Sequence, residues 1–316
     1  MTAALVRDLG DLAHRAAHAS GGCCCPPPVV LADREDGTVV RSGPVVAKAH
    51  AAGTDTADLA ARLGLAAGAE HAATLLAPLP RTDPAELHGR PVTLWPHGEP
   101  VDPGDPDAAP WEEAGALLAR LHRTEVRRPL PAMRGPVKAA LAVARMRTAR
   151  PGDPAVEPVL TAWHGLPGWA RGEAPSPAGR GAYLCHGDLH LGQLVRHPAP
   201  HGSWLLIDVD DAGLGDPAWD LARPAAWYAA GLLPPEVWLR FLDAYRAGGG
   251  PAVPGDGDPW PALDVPARAL TVQTAALAWA KSAAEGRAPD EVERVMTDAC
   301  ARIASLPPEL AAEHTS

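Results

Sequence analysis

The sequence predicts an α+β protein in two parts: a small antiparallel sheet with helices, then a larger, mainly helical region. Three observations carry that reading. Short apolar runs at residues 29–32, 38–41 and 45–49 are punctuated by Asp36-Gly37 and Ser42-Gly43, dipeptides suited to tight turns between antiparallel strands. From residue 111 onward, apolar positions recur with helical spacing. The chain has 316 residues, enough for two domains of ordinary size. Pro96-His97-Gly98-Glu99-Pro100 breaks the pattern, and 100–110 is rich in Asp, Pro and Gly, so the expected parts are 1–98 and 99–316.

Each element has a local reason. Leu5, Leu9 and Leu12 give residues 1–20 a helical face, stopped by Ser20-Gly21-Gly22. Leu59, Leu63 and Leu65 mark a helix over 55–68. Residues 71–78 and 91–95 read as two further strands. Trp111, Ala114, Leu117, Leu118 and Leu121 make 111–122 a strongly amphipathic helix, and further helices are expected at 136–149 and 154–164. Residues 165–180 are a Gly/Pro-rich loop. Short apolar runs at 183–185, 193–196 and 204–207 are strand candidates. At least three helices follow residue 219, broken at 247–259 by a segment that reads equally as a substrate loop or an insertion.

Composition narrows the function. The formal net charge is −10, which argues against a nucleic-acid partner, since neutralising phosphates needs a basic surface. No apolar run is long enough to span a membrane, and charges within the first twenty residues exclude a signal-peptide core. Five cysteines without a C-x-x-C pair argue for a reduced, cytoplasmic setting. Cys23, Cys24 and Cys25 read as a connector. Trp227, Tyr228, Trp238 and Trp279 lie in helical patterns and read as core. Only three lysines occur, Lys48, Lys138 and Lys281, so a lysine in a chemically apt place is informative.

The chemistry concentrates in three ordered blocks: His186-Gly187-Asp188-Leu189-His190-Leu191-Gly192-Gln193, then Ile207-Asp208-Val209-Asp210-Asp211, then Gly215-Asp216-Pro217-Ala218-Trp219-Asp220-Leu221. Read physically, this is a polar loop, a hairpin, and a carboxylate at the end of an apolar strand. A hairpin of this kind is expected to bring Asp188 and Asp208 together. One carboxylate can then take a proton while the other holds a hard cation, a division that suits phosphoryl transfer.

These blocks resemble the hallmark of the aminoglycoside phosphotransferase family, H-G-D-L-H-x-G-N, I-D and G-D-P-x-x-D-L, within the protein-kinase-like superfamily. The resemblance implies a bilobal kinase-like fold with ATP and Mg²⁺ between the lobes, GTP remaining open as donor. It makes 1–98 the nucleotide-binding lobe and 99–316 the catalytic and substrate-binding lobe. It further implies that Asp188 is the catalytic base, that Asp208 chelates Mg²⁺, and that His186 and Asp220 brace the catalytic loop. Asp216 is expected to cap the following helix. Gln193 stands where the family has Asn. It offers the same amide oxygen on a longer stem, as in the similarly worded loop of maltokinases, and is read as a metal ligand. Lys48, on the apolar strand 45–49, falls where the fold's strand lysine contacts the α/β-phosphates, although a surface lysine on an edge strand would look the same. Its acidic helix partner has no clear position; Asp55, Asp58 and Glu70 are nearby, with Asp58 the best placed. Arg34-Glu35-Asp36-Gly37 could cover phosphates or simply turn a hairpin. Trp95 and His97 fall at the expected adenine-binding hinge.

The expected acceptor is a small-molecule hydroxyl. The acidic balance, with Asp210 and Asp211 beside the metal strand, favours a cationic antibiotic such as an aminoglycoside or basic peptide, and hence a role in resistance or self-protection. A sugar or other neutral metabolite is the alternative. Two rivals remain in view. A metal-dependent hydrolase could use His186, Asp188 and His190 as an H-x-D-x-H set, but it leaves Lys48 and the third block idle. A nucleotide-binding pseudokinase would explain Gln193, but not the retention of Lys48, Asp188 and Asp208 together.

Overall fold

The computed structural model describes residues 3–18, 26–34, 36–80, 85–177, 179–181 and 183–305. Cys23, Cys24 and Cys25, the Ser20-Gly21-Gly22 stop and Glu35 lie outside them. The chain forms two compact units, one of residues 1–109 and 192–210, the other of 110–191 and 211–316. This division differs from a single cut at residue 98. The reason is local: a hairpin from the middle of the chain pairs with the end of the first segment, as described below.

In the first unit, helix α1 (Ala3–His18) packs on a five-stranded antiparallel sheet. The strands are β1 (Val29–Asp33), β2 (Gly37–Ser42), β3 (Val45–His50), β4 (Glu86–Leu87) and β5 (Arg90–Pro96), in the order β1-β2-β3-β5-β4. Leu5, Leu9 and Leu12 of α1 meet Val40, Val45, Ala47, Ala49 and Leu94 in one buried cluster. Alternation along β3 therefore turns Val46, Lys48 and His50 to the face away from this core. Helix α2 (Thr56–Ala66) starts at Asp55, whose carboxylate accepts from the N–H groups of Ala57 and Asp58.

Residues 71–78, expected to be a strand, are not one. A short 3₁₀ turn (Ala69–His71) leads to a single bridge between Leu75 and Leu206, and Pro78 and Pro80 cannot donate to a ladder. The remaining pairing is β6 (Glu99–Pro100) on β8 (Leu194–His197), with β8 on β9 (Ser203–Leu206). A Cβ on Gly98 would lie 2.6 Å from the Val195 Cβ, so this approach requires glycine.

The second unit is built on helices α3 (Trp111–His122), α4 (Gly135–Ala149), α5 (Glu157–His164), α6 (Ala218–Ala229), α7 (Pro235–Ala247), α8 (Trp260–Ala284) and α9 (Glu291–Ala304). The long α8 touches α4, α5, α6 and α9, and α3 packs along α7. A two-stranded ribbon, β7 (Tyr183–Cys185) with β10 (Gly213–Gly215), carries the loop that follows β7. The expected 154–164 helix divides into a 3₁₀ turn and α5. Among the described residues, no helix is long and apolar enough to cross a membrane.

Candidate active site

In the first unit, a hydrogen-bonded chain of side chains runs along the face of β3 turned away from that core. Lys48 Nζ lies 2.7 Å from Asp208 Oδ1 and 2.9 Å from Asp210 Oδ2. His50, two residues along and therefore on the same face, meets Asp210 Oδ2 through Nδ1 at 2.9 Å. Its Nε2 is 2.9 Å from Thr93 Oγ1, which also accepts from Trp95 Nε1 at 2.9 Å. Burial alone would lower the Lys48 ammonium, but Asp208 and Asp210 outweigh it and raise its pKa. Burial pushes the Asp210 carboxyl up, and Lys48 and His50 more than reverse that, holding it well below the usual range.

Asp208 follows β9 with a φ of 62°, a left-handed conformation that Asp tolerates better than most residues. Its Oδ2 faces the Gln193 side-chain amide at 3.5 Å. Rotating that amide by half a turn would present its oxygen beside the carboxylate. Asp208 and Gln193 thus make a hard-oxygen pair of the kind Mg²⁺ accepts, with its remaining positions left to water and phosphate.

The Lys48 partner is not on the helix after β3. Asp55 caps α2, Asp58 lies 3.9 Å from Arg62 on the same helix, and Glu70 lies 4.0 Å from His71. Asp58 is in the first turn of α2, where its charge also suits the helix dipole. The acids that hold Lys48 come from 160 residues further along the chain. Trp95 joins the site's network through its indole N–H. His97 does not: its backbone N–H donates to Pro44 O at 2.7 Å, and burial lowers its imidazole pKa.

The second unit carries a matching cluster. Lys138 Nζ lies 2.7 Å from both Asp188 Oδ2 and Asp211 Oδ2. Arg223 Nη2 donates to Asp188 Oδ1 at 2.7 Å, and its Nε to Leu189 O at 3.1 Å. Asp211 also lies 3.8 Å from Arg134. Burial pushes Asp188 up, and Lys138 with Arg223 overcomes it, so the carboxyl sits below its ordinary value. Lys138 is raised for the converse reason. Burial presses the neighbouring His190 down to about 4, so that ring is neutral at physiological pH.

The loop bearing Asp188 is pinned from below. Asp220 Oδ2 and Oδ1 accept from the backbone N–H groups of His186 and Gly187 at 2.6 and 2.7 Å. Asp220 also meets His122 Nε2 at 2.9 Å, and His122 Nδ1 meets the Tyr245 hydroxyl at 2.8 Å. Gly187 has a φ of 85°, and a Cβ there would strike the Asp211 carbonyl, so only glycine lets this turn close. Asp216 Oδ1 accepts from the Ala218 N–H at the start of α6, and burial raises its pKa.

Sequence reasoning missed Lys138, Arg223, His50, Thr93, His122 and Tyr245. For Lys138 a signal existed, since it is one of only three lysines. Among the described residues, the compact group suited to a metal ion is His122, Cys185 and Asp220. It includes neither Asp188 nor His190, so the H-x-D-x-H reading gains no support. Both ring nitrogens of that His122 are already engaged, and Cys185 is a buried thiol whose pKa burial raises well above normal.

Comparisons with known proteins bear on the fold and the family. A choline/ethanolamine kinase family protein from Mesorhizobium loti is 15% identical over 97% of each chain, with a TM-score of 0.62. A thermostable mutant of aminoglycoside phosphotransferase APH(4)-Ia, in ternary complex with AMP-PNP and hygromycin B, is 14% identical over 93% of this chain and 99% of its own, with a TM-score of 0.58. Spectinomycin phosphotransferase APH(9)-Ia, in complex with ADP and spectinomycin, is 13% identical over 98% of each chain, with a TM-score of 0.53. At these identities the likeness establishes the kinase-like fold. No curated protein matches the sequence. The profile of the phosphotransferase enzyme family, APH, matches residues 38–264, well over half of the chain, and the protein therefore belongs to that family and is a phosphotransferase.

Proposed function

We infer that the protein transfers the γ-phosphate of ATP to an alcohol on a small molecule, with Mg²⁺. The observation that carries this is Asp188, a carboxylate kept ionised between Lys138 and Arg223 on a rigidly braced loop. A depressed carboxyl is a weak base. In a loose phosphoryl-transfer transition state that is sufficient, because orienting the hydroxyl matters more than early proton removal. Asp188 accepts the alcohol's hydrogen bond and takes its proton late, as the new O–P bond forms.

Lys48 is the residue we assign to the α/β-phosphates. It exchanges one of its aspartate contacts for phosphate oxygen, keeping a charge-assisted bond throughout. Asp208 and Gln193 would hold Mg²⁺, which supplies neutralisation of the phosphate charge when bound. His186, Asp216 and Asp220 act through the loop and helix they brace. The AMP-PNP and ADP complexes of the structural neighbours support a nucleotide donor. Their antibiotic ligands keep a resistance role in view, but Asp210 and Asp211, the acids expected to receive a cationic antibiotic, are each paired with two cationic or imidazole groups. That pairing favours the second reading, a kinase of a sugar or other neutral metabolite.

The test is a coupled assay of ADP formation with Mg²⁺ across aminoglycosides, basic peptides, sugars and polyols, with Asp188→Asn as control. Acceptor-dependent ADP release should fall about 10²–10⁴-fold in the variant. Nucleotide binding with no transfer to any acceptor would point to the pseudokinase instead.

A further inference from the structure

Resting on that reading, the first unit also distinguishes the two acids that hold Lys48. The lysine can exchange only one of them for phosphate and keep the other as its brace. Asp208 bonds Lys48 through Oδ1 and turns Oδ2 toward the Gln193 amide. Asp210, in the 3₁₀ turn Val209–Asp211, takes both Lys48 and His50 on Oδ2, at 2.9 Å each. A carboxylate oxygen has two lone-pair sites, and on this one both are filled.

His50 is anchored through its backbone and its ring. It ends β3 and is 1% exposed. Arg90 donates from Nε to the His50 carbonyl and from Nη2 to the Ala49 carbonyl, which pins the end of the strand. The ring is fixed by the neighbouring strand. Thr93 of β5 stands directly across from Lys48, and Trp95 across from Val46, so these side chains share one face of the sheet with His50. An indole N–H can only donate, so the Thr93 oxygen accepts from Trp95. The Thr93 hydroxyl proton is then available to His50 Nε2, and the Nδ1–H donates to Asp210. Both ring nitrogens are committed, so His50 has none left for a ligand and acts through Asp210.

We propose that His50 is a positioning residue for nucleotide binding: it locks Asp210 as the standing partner of Lys48, so that Asp208 is the acid Lys48 gives up for phosphate. The turn after β9 and the end of β3 together supply the brace that the helix after β3 does not. Asp210 thereby belongs to the phosphate lysine and not to a cationic acceptor.

Calorimetry with AMP-PNP and Mg²⁺ tests this, with adenosine, which carries no phosphate, as the control ligand. The wild type is compared with Lys48→Met, His50→Leu, His50→Phe, His50→Asn, Asp210→Asn and the double variant His50→Leu/Asp210→Asn, with circular dichroism checking each fold. Leucine and phenylalanine remove the nitrogens by two different packings, so a packing fault in one does not decide the result. Asparagine keeps a donor near the place of Nδ1. Both apolar variants should weaken AMP-PNP about tenfold, in the range usual for losing a group that orients a ligating side chain, and leave adenosine affinity as it was. His50→Asn should recover most of that loss. With Asp210→Asn already present, His50→Leu should change AMP-PNP affinity by less than about twofold, because its effect runs through that carboxylate.

AMP-PNP affinity indifferent to both apolar variants overturns the proposal. So does an equal loss of adenosine affinity, which would mean a loosened sheet, or a loss that adds in full to that of Asp210→Asn. In each of these cases weaker binding by Lys48→Met leaves the kinase reading standing. AMP-PNP binding indifferent to Lys48→Met, or no binding by the wild type, overturns both.

Discussion

The two units each contain a buried lysine gripped by two aspartates, and the clusters are close copies in geometry. Lys48 meets Asp208 and Asp210 at 2.7 and 2.9 Å, and Lys138 meets Asp188 and Asp211 at 2.7 Å each. Their surroundings differ. Lys48 sits mid-strand on a face whose next polar residue, His50, extends the network to Thr93 and Trp95. Lys138 stands in the first turn of α4, where a cation opposes the helix dipole. Only its carboxylate partners account for a lysine there. The first cluster shares one cation between two acids. The second adds Arg223, so that Asp188 has a cation at 2.7 Å from each oxygen, whereas Asp211 has Lys138 at 2.7 Å from one oxygen and Arg134 at 3.8 Å from the other. The difference fits the roles proposed above, Lys48 passing from aspartate to phosphate and Asp188 staying ionised.

The comparison breaks most severely at Asp220. It is 1% exposed and holds both the Asp188 loop and His122. Asp220→Ala should cost about 3–5 kcal/mol of stability, read by urea unfolding, because it orphans buried donors. Nucleotide binding at low temperature should survive, since Lys48 and its aspartates belong to the other unit. Loss of both together would mean that the clusters are not independent.

Next comes Lys48→Met, which leaves Asp208 and Asp210 without their shared cation. We expect kcat/KM for ATP to fall about 10²–10³-fold, the usual cost of one preorganised donor to developing charge. The smallest effect belongs to Lys138→Met, about tenfold in kcat, Arg223 remaining on the other oxygen. Its sharper signature is in pH. Asp188 is depressed by Lys138 and Arg223 against burial, so removing one cation raises its pKa. The acid limb of the kcat/KM profile should then move to higher pH, and Lys138→Arg should restore it. An unmoved limb would assign the lysine to packing alone.

The two clusters were unequally legible in the sequence. Lys48 lay in an apolar strand ahead of three ordered blocks, so its order along the chain was enough to single it out. Asp188, Asp208 and Asp220 stood out because three ordered blocks resemble the family's hallmark, and Asp216 because an Asp followed by Pro suits the start of a helix. Lys138 was not, since a helix records which residues share a face but not which distant loop that face meets. Its scarcity was visible and its partner was not. The same limit explains Asp58: the sequence could place an acid on the next helix, but not see that the strand lysine takes its acids from the hairpin end. The strand expected at 71–78 failed for a similar reason. It makes one bridge to β9, where the Leu76 N–H donates to Leu206 O and the Leu206 N–H to Thr74 O, a contact only the fold supplies.

The pairing of these lysines gives the protein an unusual response to amine-reactive reagents. Acylation needs the neutral amine, and both clustered lysines are held protonated by their aspartates and half-hidden, with side chains 13% and 27% exposed. The third, Lys281, stands on the open face of α8. Among the lysines, mild acylation will therefore mark Lys281 first, alongside the more acidic α-amino group, and any slower marking of the other two becomes a clock for the opening of their salt bridges.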